Sequence, residues 1–306
     1  MPIGGAVTRR QALLLLALAA TWGGSYALTK VLLDHGMPWA WVSAARLAIG
    51  AATVTAIARR VVGRDAARAS WPRTAVIGAL SAGLSLPMIA LGQRWVATGL
   101  AGVIVGASPL FTAAVARVAV PDARLGRAGA AGLGLGFAGV VLLFAADLSG
   151  SSSILLGGLA ILVAPVGYGI GAVLSQRWAA GVSPLAQTAA NLTWAAGIAL
   201  LLALAATAAG EGGPALHGAG AWAALLVLGA IGTGVAFAVF FGLIADVGPS
   251  RAMLVTYVAP VFSLLYGALL LDEPITAAAV AGIALIVLGV VITTRPARTS
   301  ARGPAT

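Results

Sequence analysis

Apolar residues run along this chain in stretches of about twenty, interrupted at short intervals by charged, proline or glycine-rich turns, with no long alternating pattern of the kind a β-strand would show. A helix needs about 20 predominantly apolar residues to cross the ~30 Å hydrocarbon core of a bilayer. Ten segments meet that requirement: Gln11–Val31, Pro38–Ala58, Arg73–Leu91, Thr98–Val118, Gly126–Ala146, Ile154–Leu174, Pro184–Thr207, Ala221–Ile244, Arg251–Leu271 and Thr276–Thr294. The pattern therefore predicts an all-α membrane protein of ten spans, with connections too short to hold a soluble domain. The first segment follows Arg9-Arg10 as a secretory leader would, but its apolar run continues past Trp22 and nine more spans come after it, so it reads as a retained first helix.

Composition strengthens this picture. Of 306 residues 60% are hydrophobic and only 8% charged, against about 25% charged in soluble domains, and mean hydropathy is +1.03. The net charge of +10 does not imply nucleic acid, because the cations punctuate apolar runs rather than clustering on polar surface. They do assign an orientation, since Lys and Arg accumulate in cytoplasmic connections. With the N-terminus inside, fifteen of the 18 cations, from Arg9 and Arg10 through Arg59, Arg60, Arg64 and Arg177 to Arg302, fall on the cytoplasmic side, and only Lys30 and Arg94 on the other. Both short basic tails, 1–10 and 295–306, are thus expected in the cytoplasm. The absence of cysteine excludes thiolate chemistry, and two scattered histidines make no zinc motif, so neither a metal nor a cofactor is expected.

A duplication is written into the spacing. Ala107-Ser108-Pro109-Leu110-Phe111 matches Val258-Ala259-Pro260-Val261-Phe262 at an offset near 151, which also places Gly78 on Gly229 and Gly83 on Gly234. Gly132 and Gly139-Val140-Val141 match Gly282 and Gly289-Val290-Val291 at 150, and Met37-Pro38 matches Ser183-Pro184 at 146. Each unit, 11–146 and 154–294, holds five spans. An odd number inserts the second unit upside down relative to the first, so the fold class is two inverted five-helix repeats. Such an arrangement has inward-open and outward-open states of similar energy.

Thr21-Trp22-Gly23-Gly24-Ser25-Tyr26, Arg46, the segments around Pro109 and Pro260, Leu271-Asp272-Glu273-Pro274 and the glycine-rich fifth and tenth spans together resemble the drug/metabolite transporter (DMT) superfamily, specifically its EamA-type ten-span members. The resemblance covers essentially the whole chain. It implies an inner-membrane secondary transporter, often an exporter of amino acids or other metabolites, working by alternating access, without naming a substrate. A bacterial plasma membrane is the expected location. The expected partners are a small-molecule substrate and the lipid bilayer, with room left for a homodimer and no nucleic acid.

Candidate binding residues follow from cost. Arg46 is a cation well inside a span, where burial is expensive unless a partner or water attends it. A substrate carboxylate would supply that partner, gripped bidentately; the alternative is a structural pin bonded to helix-end carbonyls. Trp22, Tyr26, Tyr168, Gln187, Asn191, Trp194, Thr256 and Tyr257 make up a polar and aromatic set suited to an amphipathic solute, and Gln187, Asn191 and Trp194 share one helix face. Each also has a structural reading, as interhelical glue or interfacial anchor. Pro109 and Pro260 occupy equivalent repeat positions and are candidate hinges, with packing kinks as the alternative. Asp272-Glu273-Pro274 reads as the capped start of the tenth helix. Gly134-Leu135-Gly136-Phe137-Ala138-Gly139 spells a dinucleotide fingerprint, but it lies inside an apolar span and reads as close helix packing. A membrane enzyme would need a reactive cluster the spans lack. A facilitative channel or a non-transport scaffold remains the competing class, separable from a carrier by counterflow.

Overall fold

A computed structural model describes residues 8–63, 71–119, 127–147, 151–178, 181–247 and 255–294. Ten helical spans, and no strand, are formed among them. The first is Arg9–Asp34, opened by a capping box in which Thr8 and Gln11 exchange side-chain and backbone bonds. The second is Trp39–Val61, the fifth Arg127–Asp147, the sixth Ser152–Trp178, the seventh Pro184–Ala208, the ninth Val255–Leu270 and the tenth Ala277–Thr294. Seven spans are both long and apolar enough to cross a membrane by length and composition; the fifth, ninth and tenth contribute shorter apolar windows. The tails 1–7 and 295–306, with Arg64, Arg68, Arg124 and Arg251, lie outside the described residues.

Three spans are interrupted. The third runs as Trp71–Gly78, a π-helical stretch Ala79–Gly83, and Ser85–Gly92. The eighth runs as Ala219–Leu226, a π-helical stretch Val227–Val235, and Ala236–Val247. These wide turns fall at equivalent repeat positions, and such turns gather at functional sites. The fourth span breaks at Ala107 into Thr98–Gly106 and Ser108–Ala119. Pro109, lacking an N–H, cannot bond the Val105 carbonyl, and the Ser108 hydroxyl donates to it instead at 2.5 Å. Pro260 sits inside an unbroken ninth helix, where its ring packs on Gly106.

Packing displays the pseudo-two-fold directly. The first span lies along the ninth as the sixth lies along the fourth, and the second and seventh, like the fifth and tenth, pack on their own mates. Gly23 sits on Phe262 and Ser263, and Gly169 sits on Phe111 and Thr112, the same contact at offsets of 146 and 151. Gly232 meets Ser25 as Ser81 meets Gly171. In the fifth and tenth spans Gly139 lies against the Gly282 carbonyl and Gly289 against the Gly132 carbonyl, a reciprocal pair of close approaches. Within the run from Gly134 to Gly139, Gly136 and Gly139 are thus helix-packing positions, where small residues let backbones meet without a hydrophobic drive, while Gly134 has open space beside it.

The 272–274 segment departs from the sequence expectation. Glu273 caps the fourth span, accepting from the Thr98 amide at 2.7 Å and the Gly99 amide at 3.1 Å, while the tenth span starts later and is capped by the Thr276 hydroxyl. The physical reason is that Ala97, at the cap position of the fourth span, has no side-chain acceptor, so its free amides and positive dipole end recruit a carboxylate from across the bundle.

Candidate solute-binding site

Small residues on the second span, Ser43, Ala44, Gly50 and Ala51, are buried and let it approach its neighbours closely, which buries Arg46 to 7% exposure in the middle of the bundle. The carbonyl of Arg46 lies against Gly229, and Gly50 fits the methyl of Thr233. Both contacts anchor the arginine to the π-helical stretch of the eighth span. Its Nε donates to Thr233 Oγ1 at 2.9 Å, and Thr233 Oγ1 in turn donates to the Leu228 carbonyl five residues back at 3.0 Å, the spacing of a π turn. One edge of the guanidinium is thereby fixed.

The rest of it meets no carboxylate among the described residues. Among the described residues Asp34 pairs with Lys30 at 3.4 Å, Glu211 with Arg94 at 3.2 Å, and Glu273 with the amides of the fourth span. An unpaired cation in a mid-membrane helix costs about 2.5–3.5 kcal/mol even by insertion scales. The groups that do surround Arg46 electrostatically are two phenols, Tyr26 of the first span and Tyr168 of the sixth, both half-buried against the same apolar core as Leu47 and Leu192. Among the described residues no three His, Cys, Asp or Glu side chains converge.

Of the other sequence candidates, Gln187 and Asn191 are buried on the seventh span, which packs along the second. Gln187 Nε2 donates to Ser175 Oγ at 3.0 Å; the Asn191 carbonyl lies against Gly78, and its side-chain Oδ1 is buried with no hydrogen-bond partner. Trp194 continues that face, half-buried. Trp22 stands in an aromatic cluster, its ring 5.7 Å from Phe237 and 5.1 Å from Phe240. Tyr257 packs in a third cluster with Phe111 and Phe137, with half-buried Thr256 beside it in sequence. Tyr26 and Tyr168 thus pack on one core cluster with Phe237, a ring that Trp22 touches one helical turn before Tyr26, while Tyr257 packs on another.

Two participants escaped the sequence reading. Thr233 is the sole hydroxyl of the eighth span, a signal that could have matched it to the arginine well inside the second span. Gln93, fully buried, donates Nε2 to the Tyr26 carbonyl at 3.0 Å, but it sits in a turn after the third span and carries no local sign of that reach.

Inverted helical repeats, paired π-interrupted spans and an arginine at the repeat interface define a membrane transporter rather than an enzyme. The chain belongs to the EamA-like transporter family, whose profile matches residues 9–145 and again 155–295. It is similar to the uncharacterized transporter YvbV of Bacillus subtilis (strain 168), 25% identical over 92% of this chain and 90% of that protein. It is also similar to the uncharacterized inner membrane transporter YedA of Escherichia coli (strain K12), at 27% identity over 92% of this chain and 89% of YedA. A solved crystal structure shares the fold with a TM-score of 0.66 and 25% identity, covering 94% of this chain and 97% of that one.

Proposed function

We propose that this transporter is a secondary carrier that exports a small amino-acid-like or other metabolite by alternating access, gripping an anionic group of the solute with Arg46. The observation that carries this reading is the buried guanidinium, pinned at Nε by Thr233 and paired with no described carboxylate. Its outer edge is free to bind a carboxylate bidentately. Tyr26 and Tyr168 would add hydroxyl donors, with Gln187, Asn191 and Trp194 on the neighbouring face and Trp22, Thr256 and Tyr257 farther along the solute path. The inverted repeat supports alternating access, since exchanging the conformations of the halves reverses which end is open. The break beside Pro109 and the ring of Pro260 on Gly106 support hinge motion in the fourth and ninth spans.

A bacterial inner membrane is the location this reading adopts, as YedA's description gives for that relative. Arg9, Arg10, Arg59, Arg60, Arg73 and Arg177 at one end of the spans, against Lys30 and Arg94 at the other, support cytoplasmic termini.

Counterflow into proteoliposomes preloaded with amino acids, nucleosides or amphipathic cations tests the reading. Saturable exchange of an anionic or zwitterionic solute, reduced about 100-fold in affinity by Arg46→Gln, is expected, because hydrogen bonds to a charged group contribute about 1.5–3 kcal/mol. Undiminished exchange by a folded Arg46→Gln protein would reduce Arg46 to a structural pin. Flux that never saturates and shows no counterflow would point to a channel.

A further inference from the structure

At the end of the bundle opposite Thr8 lies a cavity of about 270 Å³, lined among others by Lys30 and Asp34 of the first span, Trp39 of the second, Arg94 after the third and Glu211 after the seventh. Its rim is an ion pair that crosses the repeat boundary. Arg94 Nη1 reaches both carboxylate oxygens of Glu211 at 3.2 Å, and the same guanidinium stands 5.0 Å from the centroid of the Trp95 ring, over its face. Arg94 belongs to the first repeat and Glu211 to the second. Any motion that parts the repeats at this end must break the pair. Both side chains are about two-fifths exposed, and exposed pairs are weak enough to exchange.

A run of hydrogen bonds leads from the cavity lining toward the first-span segment beside the arginine site. Lys30 Nζ, besides pairing with Asp34, donates to the Gln93 carbonyl at 3.3 Å. Gln93 is wholly buried, donates Nε2 to the carbonyl of Tyr26, and keeps Oε1 with no hydrogen-bond partner. Tyr26 is one of the two phenols that interact electrostatically with Arg46. A buried acceptor without a donor is costly, so its position between cavity and site suits a step where an N–H or O–H bearing solute passes.

We infer that this cavity is the vestibule through which solute passes between Arg46 and the aqueous phase at this end, and that the Arg94–Glu211 pair is its gate, made when the end is shut and broken when it opens. Two cations and two carboxylates around a volume below the ~300–1,000 Å³ of drug-sized pockets fit a compact zwitterion. That solute chemistry, unlike the gate, rests on the carboxylate-gripping reading of Arg46.

The natural sequence has no cysteine, so a single introduced thiol is an unambiguous reporter. Met37 lines the cavity and is buried, and Met37→Cys leaves all four charges in place. Its labelling by a membrane-impermeant, charged methanethiosulfonate added from the Arg94 side is expected to be slow, and to rise about fivefold when Glu211→Gln removes a pair contributing up to about a factor of five. The exchanged pair Arg94→Glu with Glu211→Arg should return labelling toward the parent rate, which a merely misfolded loop would not do. Arg94→Cys with Glu211→Cys, bridged by a short bis-methanethiosulfonate, should stop solute exchange, and a reductant should restore it. Labelling unchanged by Glu211→Gln, or a bridged protein exchanging at the unbridged rate, overturns the gate. Because labelling uses no solute, it decides the gate even if Arg46→Gln leaves transport intact.

Discussion

Around Arg46 the second span meets the π-helical stretch of the eighth through Gly50, Gly229 and Gly234; around Leu192 the seventh span meets the π-helical stretch of the third through Gly78 and Gly83. The backbones follow one plan. The side chains do not, because the offsets that map Arg46 onto Leu192 and Thr233 onto Ala82 replace a guanidinium–hydroxyl pair with two apolar residues that are 2% and 3% exposed. Duplication has preserved the small residues that let helices close on one another and the wide turns they pack against, while the guanidinium–hydroxyl pair stands at one interface and the buried amide of Asn191 at the other. On the proposed reading the symmetry would serve the motion and the asymmetry recognition: two buried cations would double the electrostatic burden, whereas one would fix where the charged end of a solute sits.

The most severe way to break this comparison is to write the polar pair into the apolar interface. Leu192→Arg should destabilise the protein by about 3–5 kcal/mol, since it buries an unpaired cation in a packed core. Adding Ala82→Thr should recover part of that loss by supplying the hydroxyl that Thr233 provides on the other side. Denaturant unfolding in detergent reads both. A double variant no better than the single would mean that the π-helical stretch of the third span cannot present a hydroxyl as the eighth does.

A smaller effect distinguishes the two interfaces at a shared glycine. A Cβ on Gly234 would lie 2.7 Å from Thr53 Cβ and 3.0 Å from the Gly50 carbonyl oxygen, whereas a Cβ on Gly83 would lie 3.2 Å from Ala195 Cα. Gly234→Ala should therefore cost about 2–3 kcal/mol by overpacking. Gly83→Ala should stay within about 1 kcal/mol of wild type, because the gain in helix propensity offsets a mild approach. Equal losses at both positions would show that the interfaces are equally tight and that their difference is confined to side-chain chemistry.

How far the sequence foretold this arrangement differs by level. The ten spans and the inverted duplication were legible because length, hydropathy and glycine placement are properties of the backbone and its solvent, and glycines such as Gly78 and Gly229 recur wherever helices must touch. Arg46 was legible as an expensive charge. Its partner was not, because the contact with Thr233 spans 187 residues and depends on how two helices are rotated. The packing of Trp22 on Phe240, and of Tyr257 on the core around Val103 and Leu110, depends on helix rotation in the same way. The π-helical stretches had no residue signature beyond their glycines. Glu273 was recognised as a cap, but its target lay across the bundle, since an amide left free at Gly99 is a feature of a helix end that local pattern does not reveal.

The mildest change sharpens the comparison most finely. Thr233→Val keeps the shape of the side chain but removes the oxygen that accepts from Arg46 Nε and donates to the Leu228 carbonyl. Each hydrogen bond contributes about 1 kcal/mol net, and the Leu228 carbonyl keeps a second lone pair for backbone partners, so global stability should fall by only about 1–2 kcal/mol. The guanidinium, however, loses the contact that orients it. If that orientation is what aims its outer edge at a carboxylate, counterflow should show weakened solute affinity with folding intact, and Thr233→Ser, which restores the oxygen, should recover it. Arg46→Leu with Thr233→Ala then completes the series by making the Arg46 interface a copy of the Leu192 interface. That variant should unfold no more readily than wild type, because a buried unpaired charge has been replaced by apolar packing, yet it should not exchange solute. Stability held while exchange is lost would show that the arginine is kept for recognition; stability lost together with exchange would make it a structural strut, and the asymmetry of the two interfaces would then belong to folding rather than to transport.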